Sequence, residues 1–328
     1  MFKNKKTKAE LDEMIAEMKS YLSAEETIQE PKEKPKTLSI QIEQPQYQLS
    51  DSILSKSTRL QLEEGMAKLR FHKIIYQDWG FNQIDRQGKA VILNFFGEPG
   101  TGKTFTAECF AGSIKQPIIK LGIAELESKF MGETSKNIIE IFKTAKENNA
   151  VLFFDEADTL LGKRLSSVTQ GIDNEVNAMR STLLIELEKF DGVAIFATNF
   201  AKNYDEAFRS RISHHIYFDL PDLEARKALW NKMLVNGIPL FESREEIIQF
   251  AAEQTEGFSG REIRTCLRLV LPKALLESEQ QGSEPKLKIT HLQTVIEQVK
   301  KAKKEVANKS RTRSDIQSAQ SMLGIENN

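Results

Sequence analysis

Residues 97–104 read GEPGTGKT, which fits the pattern GxxxxGK(S/T). Eight residues of this kind restrict a fold severely, because the pattern works only between a strand and a helix. Residues 90–96 (AVILNFF) supply an apolar run of strand length before it. Residues 105–112 follow with helix-forming composition and no proline. The glycines let the backbone curl with its N–H groups pointing inward, where they cradle phosphate oxygens. The helix behind adds the positive end of its dipole. The expected phosphate-binding residues are therefore Glu98, Pro99, Gly100, Thr101, Gly102, Lys103, Thr104 and Phe105. Among them Lys103 reaches for the β- and γ-phosphates, and the Thr104 hydroxyl is a ligand for Mg²⁺.

The rest of the chain fits round this loop. Further buried-strand runs occur at 117–121 (PIIKL), 150–154 (AVLFF), 193–198 (VAIFAT) and 215–220 (HIYFDL). Helical spacing fills residues 57–74, 134–146 and 176–190, and 163–174 reads as a polar loop. Strands alternating with helices predict an α/β parallel sheet flanked by helices. After Pro221 the pattern changes. Residues 223–234, 244–255, 259–278 and 289–306 all read as helices, with Pro272 expected to kink or split the third. This predicts four regions: an N-terminal helix and flexible linker at 1–48, the α/β domain at 49–220, a small all-helical domain at 221–306 and a polar tail at 307–328. The linker includes EETIQEPKEKPK, too charged and proline-bearing to bury a core. Residues 38–42 alternate like a short strand that either joins a sheet edge or stays loose. The aromatics of 76–81 (YQDWGF) either pack in the core or lie near a bound adenine.

Composition narrows the function. A formal net charge of −1 argues against charge-driven nucleic-acid binding. No apolar run is long enough to span a bilayer, and the N-terminus lacks the apolar segment of a secretory signal. Cys109 and Cys266, without CxxC spacing, read as buried thiols in a reducing compartment, which points to the cytoplasm. His214 and His215 read as strand-edge residues, since no partner ligand has metal-site spacing.

Three further segments carry chemistry. Residues 151–158 (VLFFDEAD) put two acids at the carboxyl end of an apolar strand, where open α/β sheets bind ligands. Asp155 is placed to hold Mg²⁺ opposite Thr104, and Glu156 to polarise an attacking water as base. Residues 197–199 (ATN) close another strand with Asn199, a neutral amide suited to the γ-phosphate and the lytic water. Residues 205–212 (DEAFRSRI) carry two arginines, either an exposed basic turn or a source of an arginine finger for a neighbouring subunit.

Taken in order, GxxxxGKT, apolar strand plus DE, ATN and DxAxRxR resemble the AAA family of ring ATPases, in the branch that includes FtsH, katanin and spastin. The resemblance runs from about residue 49 to 306. It implies an ATPase domain, a helical lid and a homo-oligomeric ring, usually of six subunits, with ATP and Mg²⁺ as cofactors. It also implies that residues 128–134 (SKFMGET) are a pore loop, in which Lys129, Phe130 and Met131 grip a protein substrate. Arg211 matches the more constant arginine and becomes the main finger, with Arg209 in support. Arg261 stands where members of this branch often have alanine; it is either a nucleotide sensor in the lid or a surface residue. Tyr204 replaces a common leucine. Two functions fit: an ATP-driven remodeller or unfoldase of a protein partner through a central pore, or an ATP-controlled scaffold that binds partners without threading them.

Overall fold

Five apolar runs become strands: β1 Val91–Gly97, β2 Ile118–Gly122, β3 Val151–Asp155, β4 Val193–Thr198 and β5 His214–Phe218. The computed structural model describes residues 40–85, 90–123, 134–161, 171–199 and 204–322. The strands form one sheet in the order β2-β3-β4-β1-β5, with every neighbouring pair parallel. A parallel sheet needs both faces covered, and β3 and β4 are buried along almost their whole length for that reason.

The covering helices include α1 (Lys56–Arg70), α2 (Lys103–Ser113), α3 (Thr134–Glu147), the short α4 (Asp158–Leu161) and α5 (Gly171–Lys189). The sheet core contains Leu93, Phe95, Phe110, Phe153, Ile195 and Phe218, with Leu62 of α1 fully buried against it. Burying side chains of this size contributes about 1.5–3 kcal/mol each. Beyond the one-turn α6 (Glu206–Arg209) come α7 (Leu223–Met233), α8 (Arg244–Gln254), α9 (Gly260–Gln281) and α10 (Ile289–Met322). These pack round a second core that includes Trp230, Ile247, Phe258, Ile263 and Leu292. The starts of α7, α8 and α9 are fixed by side-chain caps: Asp222 accepts from Ala225 N, and Ser243 and Ser259 form capping boxes with Glu246 and Glu262. Caps of this kind stabilise a helix by about 1 kcal/mol each.

Several expectations shift. Pro272 neither splits nor ends α9, which runs through it; burial of Leu267, Val270 and Ala274 on either side offsets the lost backbone bond. Helix α5 begins at Gly171, inside the segment read as a polar loop. Helix α10 continues past residue 306 to Met322, because lysine, alanine and arginine propagate a helix once packing has nucleated it. Helix α1 stops at Arg70, and a π-helical turn follows at Ile74–Asp78. There Tyr76 stacks on His72 at 4.6 Å and donates to Asp85 at 3.0 Å, so it belongs to the core. Trp79, from the same aromatic cluster, is 77% exposed. Of the segment read as either an edge strand or a loose stretch, residues 38 and 39 lie outside the described residues and 40–42 form no strand. The next residue, Glu43, makes one antiparallel bridge to Ile118 at the free edge of β2. Lys120 of β2 then pairs with Glu43 at 2.8 Å and Glu108 at 3.0 Å.

Candidate nucleotide site

The carboxyl ends of β1, β3 and β4 lie side by side, and the site residues come from the turns that follow them. Between β1 and α2 the P-loop closes on its own lysine. Lys103 Nζ donates to the carbonyls of Gly97 (2.6 Å) and Glu98 (3.0 Å) and to Asn199 Oδ1 (2.9 Å). The last bond joins the P-loop to the end of β4. Burial pulls the Lys103 ammonium below its ordinary value, while Asp155, Asp158 and Glu98 pull it back up. The Thr101 hydroxyl donates to the Glu98 carbonyl at 2.8 Å.

At the next strand, the Thr104 hydroxyl donates to Asp155 Oδ2 at 2.9 Å, and the other carboxylate oxygen accepts from Glu156 N at 2.9 Å. Glu156 sits at φ 54°, in the left-handed region. A non-glycine residue there costs about 1–3 kcal/mol and persists only where surrounding structure imposes it. The turn lifts the Glu156 side chain into solvent at the rim of the site. Asp158 accepts a hydrogen bond from Thr198, the last residue of β4.

The helical region reaches this loop directly. Arg261 N donates to the Gly100 carbonyl at 3.2 Å. Gly100 holds φ 80°, and a Cβ there would stand 2.6 Å from Arg261 Cβ and 2.9 Å from Ser259 Oγ. Glycine is required here on both counts. The Arg261 side chain is exposed, and its charge opposes protonation of Lys103.

The arginine segment stands apart. Asp205 caps α6 by accepting from Ala207 N at 2.9 Å. Arg209 is exposed and lies 3.7 Å from Glu206. Arg211 is half-buried: its Nη1 donates to the Ala207 carbonyl at 2.6 Å, its Nη2 pairs with Glu188 of α5, and its Nε is buried without a partner. The hydrogen bonds of Arg211 thus run to its own subunit's α5 and α6, not to the P-loop. Lys129, Phe130 and Met131 lie outside the described residues.

The donor set suits a nucleotide with its metal. Among the described residues, no group of three or more His, Cys, Asp or Glu is arranged to hold a metal alone. Thr104 and Asp155 are two hard oxygen donors in contact, the kind Mg²⁺ takes beside phosphate oxygens. Sequence reasoning missed other neighbours. Tyr47 packs on Phe105 at 5.1 Å beside the P-loop. Asn94, fully buried in β1, donates to the Tyr204 hydroxyl. A polar residue inside the run AVILNFF was the available signal for that pairing. Also among the described residues, no helix is long and apolar enough to cross a membrane.

Comparison with known proteins agrees with this geometry. Residues 93–220 match the family described as "ATPase family associated with various cellular activities (AAA)". Over 201 residues the chain is 32% identical to the ATPase family AAA domain-containing protein FIGL1 of Arabidopsis thaliana, covering 60% of this chain and 29% of that protein. The chain therefore spans under a third of that relative's length. The crystal structure of the FIGL-1 AAA domain in complex with ADP superposes with a TM-score of 0.62 at 20% identity, over 80% of this chain and 87% of that one. A katanin structure described as the basis for its self-assembly gives 0.59 at 24% identity, over 76% and 84%. These two likenesses establish the fold. Family match, motif order and sheet topology converge on one region: residues 93–220 match the AAA family of ATPases.

Proposed function

We propose that this chain binds ATP with Mg²⁺, hydrolyses it, and uses the cycle to remodel or unfold a protein partner as part of a homo-oligomeric ring, six subunits being the expected number. One observation carries the reading: from adjacent P-loop positions Lys103 bonds Asn199 at the end of β4 and Thr104 bonds Asp155 at the end of β3. Lys103 and the loop amides bind and orient the triphosphate. Thr104 and Asp155 hold the Mg²⁺, which supplies charge neutralisation at the phosphate oxygens when bound. Glu156 takes the proton from the attacking water, and Asn199 orients that water. Arg211, helped by Arg209, serves the site of the next subunit. A head-to-tail interface of this kind closes as a ring or continues as a helix.

The division into an ATPase domain at 49–220 and a helical lid at 221–306 is supported by two separate apolar cores. The bond from Arg261 N to Gly100 would transmit lid position to the phosphate loop, with the Arg261 side chain a candidate sensor. The near-neutral charge favours a protein partner over nucleic acid, and the buried free thiols favour the cytoplasm.

The test is Glu156→Gln. It is expected to retain ATP binding and to slow hydrolysis about 10²–10⁴-fold; wild-type turnover would refute the assigned base. Mass measurement of that variant with ATP should show a closed oligomer, and a monomer would count against trans arginines. Phe130→Ala separates the two modes of output. Lost remodelling with retained hydrolysis supports threading, whereas full activity on the partner supports an ATP-controlled scaffold.

A further inference from the structure

Asn94 is an unusual occupant of its position. It sits in the middle of β1, is completely buried, and lies three residues before the first glycine of the P-loop. An apolar residue would fill a strand covered on both faces at no desolvation cost. Its side-chain nitrogen instead makes two bonds. It donates to the Tyr204 hydroxyl at 3.0 Å and to His215 Nδ1 at 3.3 Å. The Tyr204 and His215 rings stack on each other at 5.8 Å and 21°. Tyr204 also reaches the hydroxyl of Thr198, which precedes Asn199.

These two partners bracket the arginines. Tyr204 stands before the Asp205 cap of α6, and His215 is in β5, beside Asn94 in the strand register. Everything between them, including Arg209 and Arg211, is a short excursion tied at both ends to one amide. Two further bonds pin its backbone: Asp205 N to the Leu161 carbonyl at 2.8 Å and Ser213 N to the Ile92 carbonyl at 2.7 Å. One buried group thus touches both ends of the segment that leaves for a neighbour and sits on the strand that enters the subunit's own phosphate loop.

We infer that the buried Asn94 and the half-buried Tyr204 and His215 form a clamp that positions the arginine segment for the adjoining subunit's site. They are positioning residues: they act through Arg209 and Arg211 and touch no nucleotide. The inference rests on the trans-arginine reading above. A clamp matters because a displacement of about 1 Å in such a group costs as much as 10²-fold in rate.

Mixed assemblies test it. One population carries Glu156→Gln and contributes arginines without hydrolysis. The other carries Arg209→Ala with Arg211→Ala and contributes a site without arginines. Hydrolysis by the mixture above the sum of its parts reports arginines acting across the interface. Tyr204→Phe, which keeps the ring and removes the hydroxyl, is then placed on either population. On the arginine donor it is expected to lower kcat about tenfold or more without changing KM for ATP; on the recipient it should change neither. Asn94→Leu, apolar and of similar volume, should reproduce the donor-side loss. Equal losses from both placements, loss on the recipient side alone, or no loss for either variant overturns the clamp. If the unmodified mixture does not exceed its parts, the trans arginine itself has failed and the clamp falls with it.

Discussion

Arg211 is bound to Glu188 within its own subunit. The pair links the segment after α6 to the last turns of α5, and a second bond from Arg211 to the Ala207 carbonyl holds the guanidinium side-on. On the proposed trans reading, Arg211 leaves Glu188 before it completes a neighbour's site, so the pair would compete with assembly. Glu188→Gln removes the competitor. Since a partly exposed ion pair contributes about 0.2–1 kcal/mol, the variant should reach half-maximal ATP hydrolysis at a protein concentration lower by at most about fivefold. Turnover measured across a dilution series checks this; a higher half-maximal concentration would mean that Glu188 supports the finger.

The contact between Gly100 and the start of α9 makes a second prediction. In Gly100→Ala the new methyl would meet Arg261 Cβ at 2.6 Å, on backbone at φ 80°. The variant should lose roughly 1 kcal/mol or more, about a fivefold loss of ATP affinity. Calorimetric titration with ATP reads the effect. Unchanged affinity would show that the lid start and the phosphate loop move independently.

Glu277 of α9 ties down the beginning of α10. Its carboxylate accepts from Lys288 at 2.6 Å and lies 2.7 Å from Nε2 of the buried His291. These hydrogen bonds, Lys288 first, lower its pKa to about 2. A carboxylate depressed on folding contributes stability that is complete above its unfolded value and lost as pH falls toward the folded one. Urea unfolding should therefore weaken progressively between about pH 4.5 and pH 2. Glu277→Gln should be less stable at neutral pH and flatter through that window. A variant with the same slope as wild type would remove Glu277 from the account.

Cys109 lies in the sheet core and Cys266 in the helical core, both completely buried and free. Burial pushes both thiols up to about 12. The thiolate is the reactive form, so neither should react with iodoacetamide at pH 8 in the folded protein. Both should label on unfolding, with mass spectrometry assigning which core opens first. Rapid labelling of native protein would contradict the packing of either core.

Much of this architecture is legible in the sequence because a parallel strand must be apolar on both faces. The runs around Val91, Val151 and Val193 leave little freedom in strand placement, and the carboxyl-end rule then collects Lys103, Asp155 and Asn199. What escapes is set by tertiary contact. The end of α1 at Arg70 reflects the stacking of His72 on Tyr76, which no periodicity encodes. Pro272 survives inside α9 because flanking residues are buried. The partner of Arg211 comes from a helix 23 residues away in sequence, so the motif announced the arginine but not Glu188.

The bridge from Glu43 to Ile118 has a consequence for handling the protein. Strand β2 is the outermost strand on its side of the sheet, and Glu43 engages its backbone with two bonds of 2.9 Å. Exposed strand edges template pairing with other chains, and a short segment carrying Glu43 and Pro45 across one blocks that route. A protein trimmed to begin at Leu49 would keep every motif and lose this guard. Its characteristic failure would be edge-to-edge association of sheets, easily mistaken for the ordered oligomer proposed above.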